Sequence, residues 1–317
     1  VYIKFWGTRG SIPTPLSNDS LKLKIRRALE GAVGLNLNDP SVVERYVDHL
    51  PFTVRGTVGG NTTCVEVRSG DQLLIIDAGS GLRMFGIELM KQGFGKGHQR
   101  ADFLITHTHW DHIQGFPFFA PAFIPNNHFT FHSPFADIED RLAQQQDKFF
   151  FPVSTGYMSA TFKFKQLKEN EWHQIGNFRI YPLRLSHPGE AYGYRIEDGN
   201  GCLVFATDGE YKRVDRVNTE QFIQFFQNAD LLVFDAQYDW SEALDKPDWG
   251  HSSAVIGAEL AYRAQAKRLA LFHHDPNSSD EKILGAQEEA EAYLRSAHPN
   301  GKWCDVFVAY DGLSLEI

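Results

Sequence analysis

Phe103-Leu-Ile-Thr-His107-Thr-His109-Trp-Asp111-His112 is the stretch on which the reading of the fold turns. A short apolar run ends there and delivers three imidazoles and one carboxylate within six positions. His107 and His109 stand two apart, so an extended backbone turns both toward one face and one ion. Asp111 and His112 follow in the turn and are placed to serve a second ion nearby. Imidazole suits zinc and similar first-row ions, and carboxylate suits these and harder cations. A lone histidine is usually a satisfied core group, but three with an aspartate at this spacing read as a metal site.

Around this stretch the chain alternates strand-like and helix-like patterns. Strand-like runs precede and follow it at Val1–Trp6, Thr63–Arg68, Leu73–Asp77, Asp102–Thr106, Phe129–His132, Thr161–Leu167 and Phe178–Leu185. More follow at Tyr192–Glu197, Cys202–Thr207, Leu231–Asp235, Arg268–His273, Asp305–Tyr310 and Leu313–Ile317. Helical patterns fall near Leu21–Gly31, Ser41–Leu50, Gly81–Gln92, Ala136–Gln146, Thr219–Asn228, Ser252–Ala266 and Asp280–Ala297. Many strands with interspersed helices and no long linker predict one α/β body over residues 1–317, its sheets covered by helices. Residues 17–55 interrupt the pattern after the first strand. They read as a helical insertion that opens on the basic amphipathic Leu21-Lys-Leu-Lys-Ile-Arg-Arg27. The simplest role for it is surface decoration, with a cap over the site or a dimer contact as alternatives.

Composition narrows the partners. Charged residues make up 22% of the 317, with a net charge of −9, which argues against a basic face gripping extended nucleic acid. A small anionic substrate remains compatible, because bound cations reverse the local field. Cys64, Cys202 and Cys304 lie far apart without CxxC pairing and read as buried reduced thiols. No apolar run is long enough for a membrane span. The opening Val1-Tyr-Ile-Lys-Phe-Trp6 alternates like a strand and not like a secretory leader, so the cytoplasm is the expected location.

The HxHxDH run resembles the signature of metallo-β-lactamase-fold hydrolases, and the resemblance extends over nearly the whole chain. It implies a four-layer αββα sandwich with two divalent ions at one edge of the sheets. Zinc is the first choice, with manganese or iron also accommodated. Leu74-Ile-Ile-Asp77-Ala-Gly79-Ser-Gly81 looks like that family's buried-aspartate motif, which supports the site without touching a metal. By the same resemblance His187 is the third histidine of the first site, Asp208 the carboxylate bridging both ions, and His273 the last ligand of the second. Independently, each of the three lies just past a β-rich run, where a strand end projects a rigid ligand. His274 is the alternative to His273, which is preferred as the first residue past its strand.

Three further stretches resemble the branch that holds transfer-RNA 3′-processing nucleases and small cyclic phosphodiesterases. They are Trp6-Gly-Thr-Arg-Gly-Ser-Ile-Pro13, Gly59-Gly-Asn61-Thr-Thr-Cys64 and Trp249-Gly-His251-Ser-Ser-Ala. The branch implies that His251 protonates the leaving oxygen and that Asp235, in Leu231-Leu-Val-Phe-Asp235-Ala-Gln, pairs with it. The chemistry is coherent. Two ions about 3.5–4 Å apart activate water and clamp phosphoryl oxygens during in-line attack. Expelling an alkoxide still needs a proton. The plainer reading of His251 is a helix-start residue beside the caps Ser252 and Ser253.

The transfer-RNA enzymes carry a long arm between the equivalents of His187 and Asp208, where this chain has only 20 residues. A phosphodiesterase acting on a small or cyclic phosphodiester, such as a cyclic nucleotide, is therefore the leading expectation. Ester or lactone hydrolysis, RNA 3′ processing and non-catalytic metal binding are the alternatives, and a homodimer is left open. Trp110, Phe116, Phe118, Phe119, Phe123 and Lys148-Phe-Phe-Phe-Pro-Val153 either wall a pocket for a flat base or simply fill the core. Arg9, Arg184 and Lys212 are placed to meet a phosphate, with nothing to choose among them.

Overall fold

The computed structural model describes residues 1–211 and 216–317. Strands β1 (Tyr2–Gly7), β2 (Cys64–Ser69), β3 (Gln72–Ile76), β4 (Arg100–Leu104), β5 (His128–Ser133) and β6 (Thr161–Gln166) lie side by side in chain order. Strands β7 (His173–Ile175), β8 (Phe178–Leu185), β9 (Ala191–Glu197), β10 (Cys202–Ala206), β11 (Leu231–Asp235), β12 (Arg268–Phe272) and β13 (Asp305–Val308) form a second sheet, again in order. The last strand, β14 (Ser314–Glu316), returns to the first sheet and pairs antiparallel with β1. Each sheet is antiparallel at one end and parallel at the other. Strands β3 to β6 run parallel, as do β10 to β13.

Ten helices accompany the strands among the described residues: α1 (Asn18–Gly31), α2 (Pro40–His49), α3 (Phe52–Arg55), α4 (Gly81–Lys91), α5 (Trp110–Ile113), α6 (Ile138–Gln144), α7 (Arg216–Phe226), α8 (Trp240–Asp245), α9 (Ala254–Arg263) and α10 (Asp280–Ala297). The sequence reading placed most of these elements within three residues. It missed the short β7, α3, α5 and α8, whose three to six residues are too few to show a period.

Alternation along the strands builds the layers. In β11, Leu231 and Val233 join Phe103, Phe131 and Phe205 between the sheets, while Leu232 and Phe234 face the other way onto Phe226, Leu260 and Leu294. A parallel strand buried on both faces needs a continuous apolar run, and Leu231-Leu-Val-Phe is one. On the opposite side Leu82, Phe85 and Leu89 of α4 cover the first sheet. The result is the αββα sandwich, with the helical insertion after β1.

That insertion, α1 to α3, buries none of its helical residues. It is tied down by polar contacts instead. Lys24 Nζ donates to Gly56 O and Asp280 Oδ2 at 2.8 Å each, and Arg27 meets Glu281 at 2.8 Å. Both acids open α10, so the insertion leans on the start of that helix. No helix among the described residues is long and apolar enough to cross a membrane.

Candidate metal centre

The ends of the parallel strands converge on one rim, the usual place for ligands in sheets of this kind. Asp77 follows β3, His107 follows β4, Asp208 follows β10, Asp235 ends β11 and His273 follows β12. Three of these residues, Asp77, Asp208 and His273, have left-handed backbones with φ of 59°, 59° and 60°. Non-glycine residues rarely adopt that conformation, and it recurs at functional sites where the surroundings enforce it. Ser11, at φ 63°, does the same from the turn after β1, and its N–H donates to Asp111 Oδ2 at 2.7 Å.

The clustered donor atoms form overlapping groups, each within 4.8 Å of one another: His107, His109 and His187; His107, His112 and Asp208; Asp111, His112 and His273. Asp208 lies between them, its Oδ2 3.2 Å from His112 Nε2 and its Oδ1 3.3 Å from His273 Nε2 and 4.0 Å from both His107 and His187. The spacing of the nitrogens tests whether cations fit. Tetrahedral coordination at about 2.0–2.1 Å sets neighbouring donors about 3.3–3.4 Å apart. His112 Nε2 and His273 Nε2 are 3.3 Å apart, and His109 Nδ1 and His187 Nε2 are 3.1 Å apart.

The second nitrogen of most of these rings is already engaged, which settles the direction of the lone pairs. His112 Nδ1 donates to Asp77 Oδ2 at 2.7 Å, His187 Nδ1 to Gly250 O at 2.9 Å and His273 Nδ1 to Gln237 Oε1 at 2.9 Å. Their Nε2 atoms therefore face one another across the cluster, and in the neutral rings those lone pairs would converge, an arrangement that a proton or a shared cation relieves. His107 Nε2 and Asp208 Oδ2 are buried with no hydrogen-bond partner. Such orphaned acceptors at the centre of a donor set are what a divalent ion satisfies.

The protein's own field favours positive charge here. Burial alone would lower the pKa of His112, yet the carboxylates of Asp208, Asp111 and Asp77 hold it well above the usual histidine value. Burial likewise opposes protonation of His273, but Asp208, Asp111 and Asp235 lift it to about 9. Asp208, despite burial, is held well below the usual carboxylate range by His273, His112 and His107. Such a centre has room for charge that four carboxylates balance, and divalent cations fit it.

His251 borders the cluster. Its Nδ1 lies 2.8 Å from Asp235 Oδ2, and its ring stacks on His273 at 5.1 Å between centroids. Asp235 is gripped in turn by the backbone N–H groups of Asp208 at 3.0 Å, Gln237 at 3.1 Å and Ser252 at 3.2 Å. Its oxygens cannot swing away, so His251 is held with Nε2 directed from Asp235. The cap of α9 is Ser253, whose hydroxyl accepts from Ile256 N. His251 stands two residues ahead of it and takes no part in capping. His251 and Asp235 also form a donor group with Asp208 and His273.

The three-dimensional arrangement keeps the preference for His273 and changes other expectations. His274 points away from the cluster, with Nε2 2.8 Å from Ala309 O, while His273 points in. Arg9 is buried and ties loops together: its Nε donates to Gly59 O and its Nη1 to Asp275 O and Ser278 O, while Nη2 lies 3.9 Å from Asp280. Arg184 is paired with Glu190 at 2.7 Å, and Lys212 lies outside the described residues. Phe116 and Phe119 are core, whereas Trp110, Phe118, Phe149 and Phe150 are exposed. Sequence reasoning missed Ser11, Gln237 and Gly250. Two of these act through the backbone, which leaves no side-chain signal; Gln237 had only its place two residues past Asp235.

Residues 73–274, more than half of the chain, match the family model described as the Beta-lactamase superfamily domain. Ribonuclease Z of Thermoplasma acidophilum is 24% identical over 270 residues, spanning 69% of this chain and 82% of that protein. The probable metallo-hydrolase YhfI of Bacillus subtilis is 26% identical over 239 residues, spanning 71% of this chain and 86% of that protein. The crystal structure of YhfI, a metallo-beta-lactamase fold protein, superposes over 100% of this chain and 98% of its own with a TM-score of 0.65 at 20% identity. A diphosphatase from the PhnP family superposes over 100% and 97% with a TM-score of 0.57 at 18% identity.

Proposed function

This chain belongs to the beta-lactamase superfamily and is a metal-dependent hydrolase, and we propose that it cleaves a small or cyclic phosphodiester, a cyclic nucleotide among the candidates. His107, His109 and His187 would hold one divalent ion and Asp111, His112 and His273 the second, with Asp208 placed between the two groups. Zinc is the first choice for so imidazole-rich a set, with manganese or iron acceptable. When bound, two such ions supply an activated water and a clamp for phosphoryl oxygens.

The single observation that carries the reading is the His251–Asp235 pair beside the cluster. Asp235 Oδ2 accepts a hydrogen bond from His251 Nδ1–H, so the imidazolium of His251 would present Nε2–H to a departing alkoxide and give up that proton to it. A thioester, whose thiolate departs without a proton, has less need of that group. Small substrates are favoured over folded RNA by the segment between His187 and Asp208. It contains only β9 and β10, joined by a turn in which Asp198 N donates to Gly201 O. The acidic balance of the chain points the same way.

The test is a turnover screen of metal-reconstituted protein on bis-p-nitrophenyl phosphate, cyclic mononucleotides, cyclic dinucleotides and lactones. Hydrolysis of a phosphodiester with no lactone turnover is the expected result; the reverse pattern ends the proposal. RNA 3′ processing is the second reading, favoured by the ribonuclease Z relatives, and cleavage of a precursor transfer RNA in the same screen would select it.

A further inference from the structure

A cavity of about 590 Å³ reaches residues next in the chain to the metal-loop ligands and is lined chiefly by Trp110, Phe118, Phe150 and Phe151, with Arg141 and Gln145 at its polar side. Its position is set by the ligand loop itself. Thr108 and Trp110, the two neighbours of His109, both line it. The next three residues, Asp111, His112 and Ile113, are all buried, so the first turn of α5 has only Trp110 to turn outward.

What it leaves in water is unusual. Trp110 is 76% exposed, Phe118 54% and Phe150 80%. Aromatic side chains normally dominate cores, and a contiguous exposed group of them marks a binding surface. The group is also ordered before any ligand arrives. Phe118 and Phe151 meet edge to face at 5.4 Å. The turn carrying Phe149 to Phe151 is closed by Phe150 N and Phe151 N donating to Asp147 O at 2.8 and 2.9 Å. Gln146 Nε2 ties that turn to Val153 O at 2.9 Å.

The polar groups are few and directional. Arg141 is stacked on Phe135 at 4.0 Å, paired with Asp137 at 2.9 Å and 3.4 Å from Thr108 Oγ1, which aims it between the cavity and the metal loop. Gln145 Nε2 is a buried donor with no hydrogen-bond partner. Flat aromatic walls with a guanidinium at one side match a planar heterocycle.

We propose that this cavity takes the nucleobase of a nucleotide whose phosphodiester sits on the metal centre, with Trp110 and Phe150 as stacking faces. The proposal rests on the phosphodiesterase reading for the placement of the phosphate, and the experiment separates the two. Metal-loaded protein is titrated calorimetrically with adenosine 5′-monophosphate and with ribose 5-phosphate, which keep the phosphate and differ in the base. Base–aromatic stacking of about 1–3 kcal/mol corresponds to about 5- to 150-fold in affinity. Wild type should bind the nucleotide more tightly by a factor in that range. Trp110→Ala should remove most of the advantage and leave ribose 5-phosphate within about twofold. Trp110 stands between His109 and Asp111, so Phe150→Ala, remote from any ligand, provides the second variant and should shrink the advantage as well.

Equal binding of the two probes, or variants that weaken both alike, overturns the proposal. Base-dependent binding without turnover of any phosphodiester would sink the proposed function and leave this site standing; turnover indifferent to the base would do the opposite. A short RNA ending in adenosine, run alongside, tells a free nucleotide from a chain end as the source of the base.

Discussion

Asp235 and Asp208 end or follow neighbouring parallel strands, and the backbone N–H of Asp208 donates to Asp235 Oδ2 at 3.0 Å. The same oxygen meets His251 Nδ1 at 2.8 Å. One carboxylate oxygen therefore fixes both the residue central to the metal cluster and the residue assigned to protonate the leaving group. The distance between the two functions is set by strand register, not by a flexible loop.

His251→Ala should lower kcat about 10²- to 10⁴-fold on a phosphodiester with an alkoxide leaving group. With p-nitrophenolate, which departs without a proton, the loss should be small. Asp235→Asn should behave alike, and the double variant should be no worse than His251→Ala alone. Kinetics on paired substrates decide it, and an equal loss with both leaving groups removes the acid role.

Asp77→Asn alters the site without deleting a donor atom of the cluster. Asn tolerates the left-handed backbone at this position, where φ is 59°. Thr106 N and Oγ1 each hold an oxygen of Asp77 at 2.8 Å, so an amide that keeps the first of these bonds turns its NH2 toward His112 Nδ1. His112 must then carry its proton on Nε2, inside the cluster. Metal affinity should drop about 10- to 100-fold, read by competition with a chromophoric chelator; unchanged affinity would refute the supporting role.

Gly10→Ala probes how tightly the turn after β1 is fitted. A Cβ there would lie 2.5 Å from His273 Nδ1 and Cε1 and 2.9 Å from Gln237 Oε1. The ring and its amide partner must both move. Binding of one ion should weaken by about tenfold or more while the other is spared, so metal titration should split into two well-separated steps.

His274 gives a pH signature in stability. Burial pushes its pKa down from 6.5 to about 3, so the folded state keeps it neutral while the unfolded chain protonates it below about 6.5. Its contribution is complete above that pH and is lost as pH falls toward 3, at up to about 1.4 kcal/mol per pH unit. His274→Gln removes the titration and can keep a donor to Ala309 O. Denaturant melts at pH 7 and pH 5 should show a smaller acid loss for the variant than for wild type; parallel losses would contradict the assignment.

Strand and helix patterns pointed to an α/β body, and the resemblance carried by the HxHxDH run pointed to the αββα sandwich. Local spacing picked out His107, His109, Asp111 and His112, because a strand followed by a tight turn confines four donors to a few ångströms whatever the rest of the chain does. The β-rich runs that end just before His187, Asp208 and His273 likewise marked strand ends able to project rigid ligands. Tertiary structure decided the rest. His273 and His274 are adjacent and chemically identical, and only the left-handed turn after β12 sends one to the cluster and the other to Ala309 O. Arg9 looks like any exposed cation until three distant carbonyls bury it. The exposure of Trp110 and the N–H of Ser11 at Asp111 depend on which segments meet across about a hundred residues. Burial and backbone hydrogen bonds are properties of the assembled chain, and no single stretch of sequence carries them.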